Sequence, residues 1–456
     1  MIELDPERIA IEAGAEIVVR GDGERPSRGV VASRAIERGD LFFGIRGERD
    51  DGGCFAAAAL EAGAWGVVVE RERAAELIES PGASATGWVL GCDDPVDALG
   101  NLARAWRREI GCPLVGITGS TGKTSVKDIC RSILPLRTHA SPENFNTEIG
   151  MPLALLAAPL ETEVLVMEMA MRGLGQIEEL CRIAEPDVAA ITNVGPVHLE
   201  LLGTLDAIAE AKAEILAGLG PDGHAVLPAD AEALAPHLND ELSRLTFGAG
   251  GDVIAIVSRV ASGRTDTRIG TPAGEADFTF PFEEAHNLSN ALCAVAIGVT
   301  LGIEPAAMAA LAPRVQFSRL RGERVELQGE ILLLNDCYNA NPISMRAAIE
   351  HLASLTPRGR RLAFLGGMAE LGPEGPRFHA EIGALARDLG IGPVIGVGDL
   401  ARDYSPDEWT PDPLAAAQLA ADLLLPGDVA LVKGSRSVGL EGLTDALRAT
   451  LGEAAA

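Results

Sequence analysis

Residues 114–125 read LVGITGSTGKTS, and this stretch decides the fold at the centre of the chain. The first five residues suit a buried strand, and a glycine-rich turn follows before a helical pattern begins near residue 123. Such a turn forms a nest of backbone N–H groups around a phosphate, with a lysine on the β and γ phosphates and a hydroxyl on Mg²⁺. We therefore predict a phosphate-binding loop that consists of Gly119, Ser120, Thr121, Gly122, Lys123, Thr124 and Ser125.

The loop departs from the common pattern at one position. The usual G-x-x-x-x-G-K-[ST] pattern requires glycine at position 117, where this chain has Ile117. A glycine-rich strand-to-helix turn that binds nothing would share much of this pattern, so this alternative stays open at the level of the loop alone.

The composition limits the classes of function. The 456 residues exceed one ordinary domain, and 66 acidic against 38 basic residues give a net charge of −28. This charge argues against nucleic acid or an anionic membrane as the main partner. We expect no membrane insertion, because no apolar run reaches the roughly 18 residues of a bilayer span. The first residues show no signal-peptide pattern, so we expect a cytoplasmic protein.

Lysine is rare in this chain. Of the 38 basic residues four are lysine and 34 are arginine, and the lysines stand at positions 123, 127, 212 and 433. A lysine provides a compact charge and, once deprotonated, a nucleophilic amine, neither of which a guanidinium can replace. We infer that some of these lysines occupy positions where arginine cannot serve.

The hydrophobic pattern predicts an α/β protein with three domains. Residues 1–108 resemble a small α/β domain, and residues 109–314 alternate β-branched runs with helical patterns, which predicts a P-loop-type, mostly parallel sheet. Short antiparallel strands are expected within residues 252–280. The alternation returns in residues 315–456 and predicts a C-terminal Rossmann-like domain.

Three residues of the central domain are candidates for catalysis and metal binding. Glu168 ends an apolar strand, where open α/β sheets bind ligands, and could hold Mg²⁺ or lie in water at the sheet edge. His198 follows the next predicted strand, and a lone histidine can be a ligand or a structural hydrogen-bonding group. From the residues alone, Lys212 could be a surface lysine paired with a neighbouring glutamate.

Several stretches together resemble the Mur ligase family. TGSTGKT after residues 116–117 is similar to the ATP loop of Mur ligases and folylpolyglutamate synthases. Residues 191–203, ITNVGPVHLELLG, and the following AKAEI helix resemble the stretch in which a Mur ligase lysine is carbamylated. The resemblance implies that Thr124 and Glu168 serve one Mg²⁺, and that His198 and carbamylated Lys212 serve a second. The catalytic residues that it implies are Lys123, Glu168, His198 and Lys212.

The resemblance also implies nucleotide contacts outside the loop. Residues 286–290, HNLSN, are similar to the family's HNxxN segment, although Asn287 or Ser289 could simply cap a helix. The loop after the strand at 331–335 could likewise be an Asx-rich helix start. The further contacts to ATP that the resemblance implies are Asn287, Arg321, Asp336, Asn339 and Lys433.

The substrate class follows from segments in all three domains. Residues 338–345, YNANPISM, resemble the family member that adds D-alanyl-D-alanine to UDP-N-acetylmuramoyl-tripeptide, and residues 141–150, 367–372 and 432–436 agree. The chain departs from the pattern at Ala32, Thr147, Asn335 and Gly367, where the family usually has Asp, Asn, Asp and Asp. The implied substrate contacts are Ser33, Arg34, Asn144, Asn146, Thr147, Asn341 and Ser435.

The resemblance therefore implies a monomeric ligase that uses ATP and Mg²⁺. Its small-molecule substrates would be UDP-N-acetylmuramoyl-tripeptide and D-alanyl-D-alanine, joined through an acyl phosphate. The alternatives are another Mur ligase, a folylpolyglutamate synthase-type ligase, or a nucleotide-binding regulator that has lost the chemistry. Two metal sites argue against a regulator, since a protein without turnover does not need the second.

Overall fold

The structure is a computed structural model that describes residues 2–47, 50–79, 87–142, 144–261 and 263–453. Glu143, which belongs to the quoted segment 141–150, lies outside the described residues. Three α/β units follow one another along the chain, as predicted from the hydrophobic pattern.

The N-terminal unit is built on a five-stranded sheet. Its strand order is β1-β5-β4-β3-β2, in which β1 runs antiparallel to β5 and all other neighbours are parallel. Its elements are α1 (Pro6–Glu12), β1 (Glu16–Val19), β2 (Gly29–Val30), β3 (Leu41–Phe43), α2 (Ala56–Glu61), β4 (Gly66–Glu70), α3 (Arg71–Glu79), β5 (Trp88–Cys92) and α4 (Pro95–Ile110).

The central unit contains a six-stranded parallel sheet in the order β11-β10-β9-β6-β8-β7. The expected antiparallel strands form a separate sheet, β12-β13-β14. The elements are β6 (Leu114–Thr118), α5 (Lys123–Ile133), β7 (Thr138–Ala140), α6 (Gly150–Leu156), β8 (Val164–Glu168), α7 (Gln176–Ala184), β9 (Val188–Ile191), α8 (Leu199–Leu202), α9 (Leu205–Ala217), β10 (His224–Pro228), β11 (Ser243–Phe247), β12 (Ile254–Ala261), β13 (Arg264–Thr271), β14 (Gly274–Phe280), α10 (Ala285–Thr300) and α11 (Pro305–Leu311).

The C-terminal unit is the predicted Rossmann-like domain. Its strand order is β15-β16-β20-β17-β18-β19, parallel except for the edge strand β15. The elements are β15 (Glu323–Leu327), β16 (Ile331–Asn335), α12 (Pro342–Ser354), β17 (Arg361–Gly366), α13 (Gly375–Asp388), β18 (Val394–Val397), β19 (Glu408–Thr410), α14 (Pro413–Leu423), β20 (Val429–Lys433) and α15 (Glu441–Leu451).

Strand β6 lies in the interior of the central sheet, with β9 on one side and β8 on the other. All five of its residues are buried, which explains why its sequence is continuously apolar or β-branched rather than alternating. Because all strands of this sheet are parallel, the residues that follow β6, β8 and β9 meet at one edge. This edge carries the phosphate loop, Glu168 and the segment that leads to His198.

Helix α4 joins the N-terminal and central units. It packs against α1 and β4 as well as against α6 and α7, so the division proposed at residue 108 falls inside its last turn. Trp106 is fully buried on this helix, and its Nε1 donates a hydrogen bond of 3.0 Å to the Ala158 carbonyl oxygen. The two units therefore share one hydrophobic core.

Asp128 connects the central unit to the beginning of the C-terminal unit. Its Oδ2 accepts hydrogen bonds from the backbone N–H and the hydroxyl of Ser318, both at 2.8 Å.

Within the described ranges, we find no helix that combines the length and the apolar character of a bilayer span.

Replacing Trp106 with alanine should destabilise the N-terminal and central units together by about 3–5 kcal/mol, because it leaves a cavity in their shared core. Replacing it with phenylalanine should cost less, since most of the ring volume remains. Urea unfolding followed by circular dichroism measures both effects. An unchanged midpoint for Trp106→Ala would contradict a shared core.

Candidate functional site

A cavity of about 220 Å³ lies between the central and C-terminal units. The phosphate loop and the beginning of α10 line one side, and residues of β20 together with residues that follow β16 line the other. The structure thus brings most of the sequence-predicted nucleotide contacts to one place. The predicted residues that line the cavity are Ser120, Thr121, Gly122, Lys123, Thr124, Ser125, Glu168, Asn287, Arg321, Asp336, Asn339, Asn341 and Lys433.

Two glycines give the phosphate loop its shape. Gly119 and Gly122 have φ angles of +146° and +79°, which disfavour other residues. A Cβ at Gly119 would lie 1.9 Å from Thr192 Oγ1, and one at Gly122 would lie 2.3 Å from Asn290 Oδ1. The loop can therefore adopt this tight path only with glycine at both positions.

Asn193, which the sequence motifs did not single out, holds the loop from the end of β9. Its Oδ1 accepts from the Thr121 backbone N–H at 2.9 Å, and its Nδ2 donates to Thr121 Oγ1 at 2.7 Å. The Ser120 backbone N–H donates to the Asn193 carbonyl oxygen at 3.1 Å. The sequence contained one signal for this role: Asn193 is a polar residue two positions after a buried strand that ends at the same sheet edge as the loop.

Lys123 and Thr124 begin α5 and face the cavity. Lys123 Nζ donates to the Gly119 carbonyl oxygen at 2.7 Å. Burial lowers the pKa of Lys123, while the Glu168 carboxylate opposes this shift. Thr124 Oγ1 donates to Glu168 Oε2 at 2.8 Å and accepts from an Arg321 guanidinium nitrogen at 2.9 Å. One hydroxyl thus connects the loop, strand β8 and the start of the C-terminal unit.

Glu168 is buried at the end of β8, with 3% of its surface exposed. Its Oε1 accepts from Asn146 Nδ2 at 2.9 Å, and its backbone N–H donates to Ser141 Oγ at 3.1 Å. The alternative of a solvated edge glutamate is therefore wrong. Asn146, predicted as a substrate contact, lies against this carboxylate.

Lys212 is also buried, with 2% of its surface exposed. Among the described residues no hydrogen bond or ion pair to its ammonium group is found. Burial lowers the pKa of Lys212 well below its usual value, and the positive charge of Lys123 adds to this effect. The alternative of a surface lysine paired with glutamate is wrong, because the amine is buried.

His198 lies near both lysines. Its pKa is lowered mainly by burial, with smaller contributions from Lys123 and Lys212, whereas Glu370 of the C-terminal unit raises it. The Nδ1 atom of His198 is hydrogen-bonded to Glu370 Oε2. The structure therefore brings His198 to the predicted edge and adds a carboxylate that the motifs did not identify as functional.

The donor groups at this edge fit Mg²⁺. The described residues contain no group of three or more His, Cys, Asp or Glu side chains that could hold a metal. Mg²⁺, however, is typically bound by one or two carboxylates plus substrate phosphates and water, and Glu168 and Thr124 lie in hydrogen-bonding contact beside the loop. A carbamate on Lys212 would add a further carboxylate-like group.

The far wall of the cavity is organised by Lys433. Its Nζ contacts Asp336 Oδ2 at 2.5 Å and the Asn339 carbonyl oxygen at 3.1 Å.

Asn287 lies opposite, and its Nδ2 donates to Glu284 Oε2 at 3.3 Å. The N-cap residue of α10 is Glu284, so Asn287 is not the cap of this helix.

Two predicted substrate contacts have structural hydrogen bonds. Asn341 caps α12, with its Oδ1 accepting from the Ser344 backbone N–H at 2.9 Å. Ser435 Oγ accepts from the Ala369 backbone N–H at 2.9 Å. Their contacts to substrate remain predictions.

Of the seven predicted substrate residues, only Asn341 lines the cavity. The six that do not are Ser33, Arg34, Asn144, Asn146, Thr147 and Ser435. Ser33 and Arg34 form a short 3₁₀ turn of the N-terminal unit. Asn144 and Thr147 are exposed in the segment before α6, and Thr147 Oγ1 accepts from the Gly150 backbone N–H at 3.4 Å.

The departures at positions 335 and 367 have structural explanations. A Cβ at Gly367 would lie 2.5 Å from Leu400 Cβ, so this chain has no room for a side chain there. Asn335 Nδ2 donates to Glu323 Oε2 at 2.9 Å, a hydrogen bond that an aspartate could not donate.

Replacing Asn193 with alanine should weaken binding of Mg²⁺–ADP, because the loop loses its support: Thr121 loses two hydrogen bonds to the Asn193 side chain, of 2.9 and 2.7 Å, and a longer third one of 3.3 Å. Two lost hydrogen bonds at about 1 kcal/mol each correspond to roughly a 30-fold weaker affinity. Isothermal titration calorimetry measures it, with Asn101→Ala on α4 as a control remote from the cavity. Equal affinities for Asn193→Ala and wild type would show that the loop is held without Asn193.

Comparison with known proteins identifies the family. The model of the Mur ligase middle domain matches residues 117–298, and that of the Mur ligase glutamate ligase domain matches residues 320–436. Similar curated proteins include UDP-N-acetylmuramoyl-tripeptide–D-alanyl-D-alanine ligases. That of Bacillus subtilis is 34% identical over 421 residues and covers 90% of each chain. That of Escherichia coli is 32% identical over 429 residues and covers 91% of this chain and 92% of the relative.

Solved structures agree with these relatives. MurF from Acinetobacter baumannii superposes with a TM-score of 0.87 at 28% identity, covering 97% of this chain and 98% of that one. MurF ligase from Thermotoga maritima, solved in complex with ADP, gives a TM-score of 0.81 at 30% identity, covering 93% and 97%. The similarity thus extends over all three units, and the chain belongs to the Mur ligase family.

Proposed function

We propose that this protein is an ATP-dependent ligase that joins D-alanyl-D-alanine to UDP-N-acetylmuramoyl-tripeptide, the step of peptidoglycan synthesis that yields the pentapeptide. The observation that carries this proposal is the phosphate loop beside buried Glu168, in a cavity between two units. The relatives that span about nine-tenths of this chain are named for the same reaction.

The chemistry requires activation of a carboxylate. The terminal carboxylate of the tripeptide attacks the γ-phosphorus of ATP, which gives an acyl phosphate and ADP. The amine of D-alanyl-D-alanine then attacks the carbonyl carbon, the amide bond forms, and inorganic phosphate leaves. The loop N–H groups and Lys123 stabilise the charge on the transferring phosphoryl group, which is the main way proteins catalyse such transfers.

The residues for magnesium fall into two sets. Thr124 and Glu168 would hold one Mg²⁺, and His198 with a carbamate on Lys212 would hold a second. When bound, the ions neutralise the negative charge of the phosphates. The Thr124 hydroxyl oxygen and the Glu168 carboxylate lie 2.8 Å apart, so the two groups could serve together as ligands without loss of the hydroxyl proton.

The C-terminal unit supplies groups to the nucleotide side. Arg321 reaches Thr124, and its guanidinium lies 4.2 Å from the centre of the Tyr338 ring, which fixes the orientation of the arginine. Asp336, Asn339 and Lys433 form the opposite wall. A site closed between two units protects an acyl phosphate from water.

We further propose that the protein acts as a monomer in the cytoplasm, where its substrates would be made.

Phosphate release tests the function directly. With ATP, Mg²⁺ and UDP-N-acetylmuramoyl-tripeptide, release should depend on D-alanyl-D-alanine, and the product should be heavier by one dipeptide less water. Release with another amino acid instead would indicate a different ligase of the family. Folded protein that binds ATP but makes no amide with any acceptor would indicate a regulator.

Carbamylation of Lys212 can be measured separately from activity. The reaction of a neutral amine with CO₂ gives a carbamate and releases one proton, and the lowered pKa of Lys212 favours it at neutral pH. Protein equilibrated with ¹³C-labelled bicarbonate should show one carbamate resonance by NMR. Lys212→Arg should lose the resonance and the ligase activity, whereas Lys127→Arg should keep the resonance. A carbamate resonance that persists in Lys212→Arg would place the modification elsewhere.

A further inference from the structure

The loop formed by residues 367–372 of the C-terminal unit docks directly onto the segment that contains His198. The Glu200 backbone N–H donates to the Glu370 carbonyl oxygen at 3.3 Å. Gly372 lies so close that a Cβ there would come within 3.2 Å of Glu200 Cα. The two backbones are therefore in contact at this point, beyond the edge of the cavity.

Both residues at the centre of this contact have an unusual backbone conformation. His198 and Glu370 are left-handed, with φ angles of +53° and +61°. A non-glycine residue in this conformation costs about 1–3 kcal/mol and persists only where surrounding interactions maintain it. Two such residues, one from each unit, face each other, which points to a functional reason for the pairing.

The side chains show what the pairing achieves. Glu370 Oε2 is hydrogen-bonded to His198 Nδ1, and Glu370 Oε1 lies 3.5 Å from Arg172 Nε. An imidazole that donates from Nδ1 to a carboxylate has Nε2 as its remaining lone-pair nitrogen. Glu370 thereby selects the tautomer and fixes the ring plane of a histidine that lies near Lys123 and Lys212.

We propose that Glu370 is a positioning residue that couples docking of the C-terminal unit to the assembly of the second Mg²⁺ site. In the docked arrangement, Glu370 holds His198 through Nδ1, so that Nε2 would be free to serve as a metal ligand. When the units separate, the ring is released and this site loses a fixed ligand. The inference rests on the proposed function, because it takes His198 as a magnesium ligand.

The coupling explains why the contact is built from both main chain and side chain. The main-chain hydrogen bond from Glu200 fixes the distance between the loop and α8, and the carboxylate then has only one nitrogen of His198 within reach. Arg172 is largely exposed and pairs with the other carboxylate oxygen from solvent, so its contribution should be small. The orientation of His198 thus depends on Glu370 rather than on a general attraction between charges.

Metal counting tests the coupling without relying on turnover. The full-length protein with a non-hydrolysable ATP analogue is titrated with Mn²⁺, and free Mn²⁺ is measured by electron paramagnetic resonance. Wild type should bind two ions. Glu370→Ala should lower the affinity for the second ion by roughly 10–100-fold, as removal of the carboxylate partner of a metal-bound histidine does. Glu370→Gln, which keeps an acceptor oxygen without the charge, should give an intermediate loss.

A double-mutant cycle distinguishes positioning from a merely structural effect. His198→Ala should lower the affinity for the same ion. The double variant should bind this ion no more weakly than His198→Ala alone, since Glu370 acts only through the ring. Any of three results would overturn the proposal. The affinity losses of the two single variants could add fully in the double variant, Glu370→Ala could bind the second ion with wild-type affinity, or the wild type could bind a single ion.

Controls for charge and folding come from the same region. Glu374→Gln removes an exposed carboxylate that pairs with Arg377 a few residues further on, and Arg172→Gln removes the other partner of Glu370. Both should bind two ions normally, and all variants should unfold at the wild-type temperature within a few degrees. A wild type that makes no amide product but shows Glu370-dependent binding of two ions would contradict the proposed function and leave the coupling intact.

Discussion

The hydrogen bond from Thr124 Oγ1 to Glu168 Oε2 is the interaction around which the site is built. It joins the first turn of α5 to the end of β8 and therefore fixes the phosphate loop against the edge of the central sheet. Asn146 takes the other carboxylate oxygen, and Arg321 approaches the same hydroxyl from the start of the C-terminal unit. A single buried carboxylate thus sets the positions of a loop, a neighbouring segment and the arginine that faces them.

Burial of amines is the second constraint, and it accounts for positions at which the chain keeps lysine. Charged groups are costly to remove from water, so a buried lysine must be paired, or it loses its proton. Lys433 is paired with Asp336, whereas Lys212 is buried beside another cation and its pKa is strongly lowered. Arginine would remain charged at position 212 and could not react with CO₂. The chain therefore keeps lysine where proton loss or a compact charge is required.

Much of this arrangement could be predicted from the sequence. The apolar run of β6, the glycine-rich turn and the polar residues after β8 and β9 follow from strand periodicity and the geometry of parallel sheets. The resemblance to Mur ligases added Lys212 and His198, which the residues alone left ambiguous. Short elements such as β1, β7 and α6 were not predicted, because a few residues carry little periodic signal and their positions depend on tertiary packing.

The contacts that cross between units were the least predictable. The sequence does not show that Glu370 lies next to His198, 172 residues earlier in the chain. Nor does it show that α4 packs into a core that the N-terminal and central units share. Asn193 and Gly367 were equally hard to predict although their contacts lie within one unit, since the role of each is set by one neighbour that is distant in the chain. Tertiary packing, within and between units, rather than local propensity decides these positions.

The central claim is that this site activates a carboxylate by phosphorylation, and oxygen-isotope transfer tests it most directly. The terminal carboxylate of the UDP-linked tripeptide is labelled with ¹⁸O, and the phosphate released during ligation is analysed by mass spectrometry. The account predicts one ¹⁸O atom in each phosphate, because a carboxylate oxygen leaves with the phosphoryl group. Phosphate without the label, formed together with amide product, would contradict an acyl phosphate and the mechanism built on it.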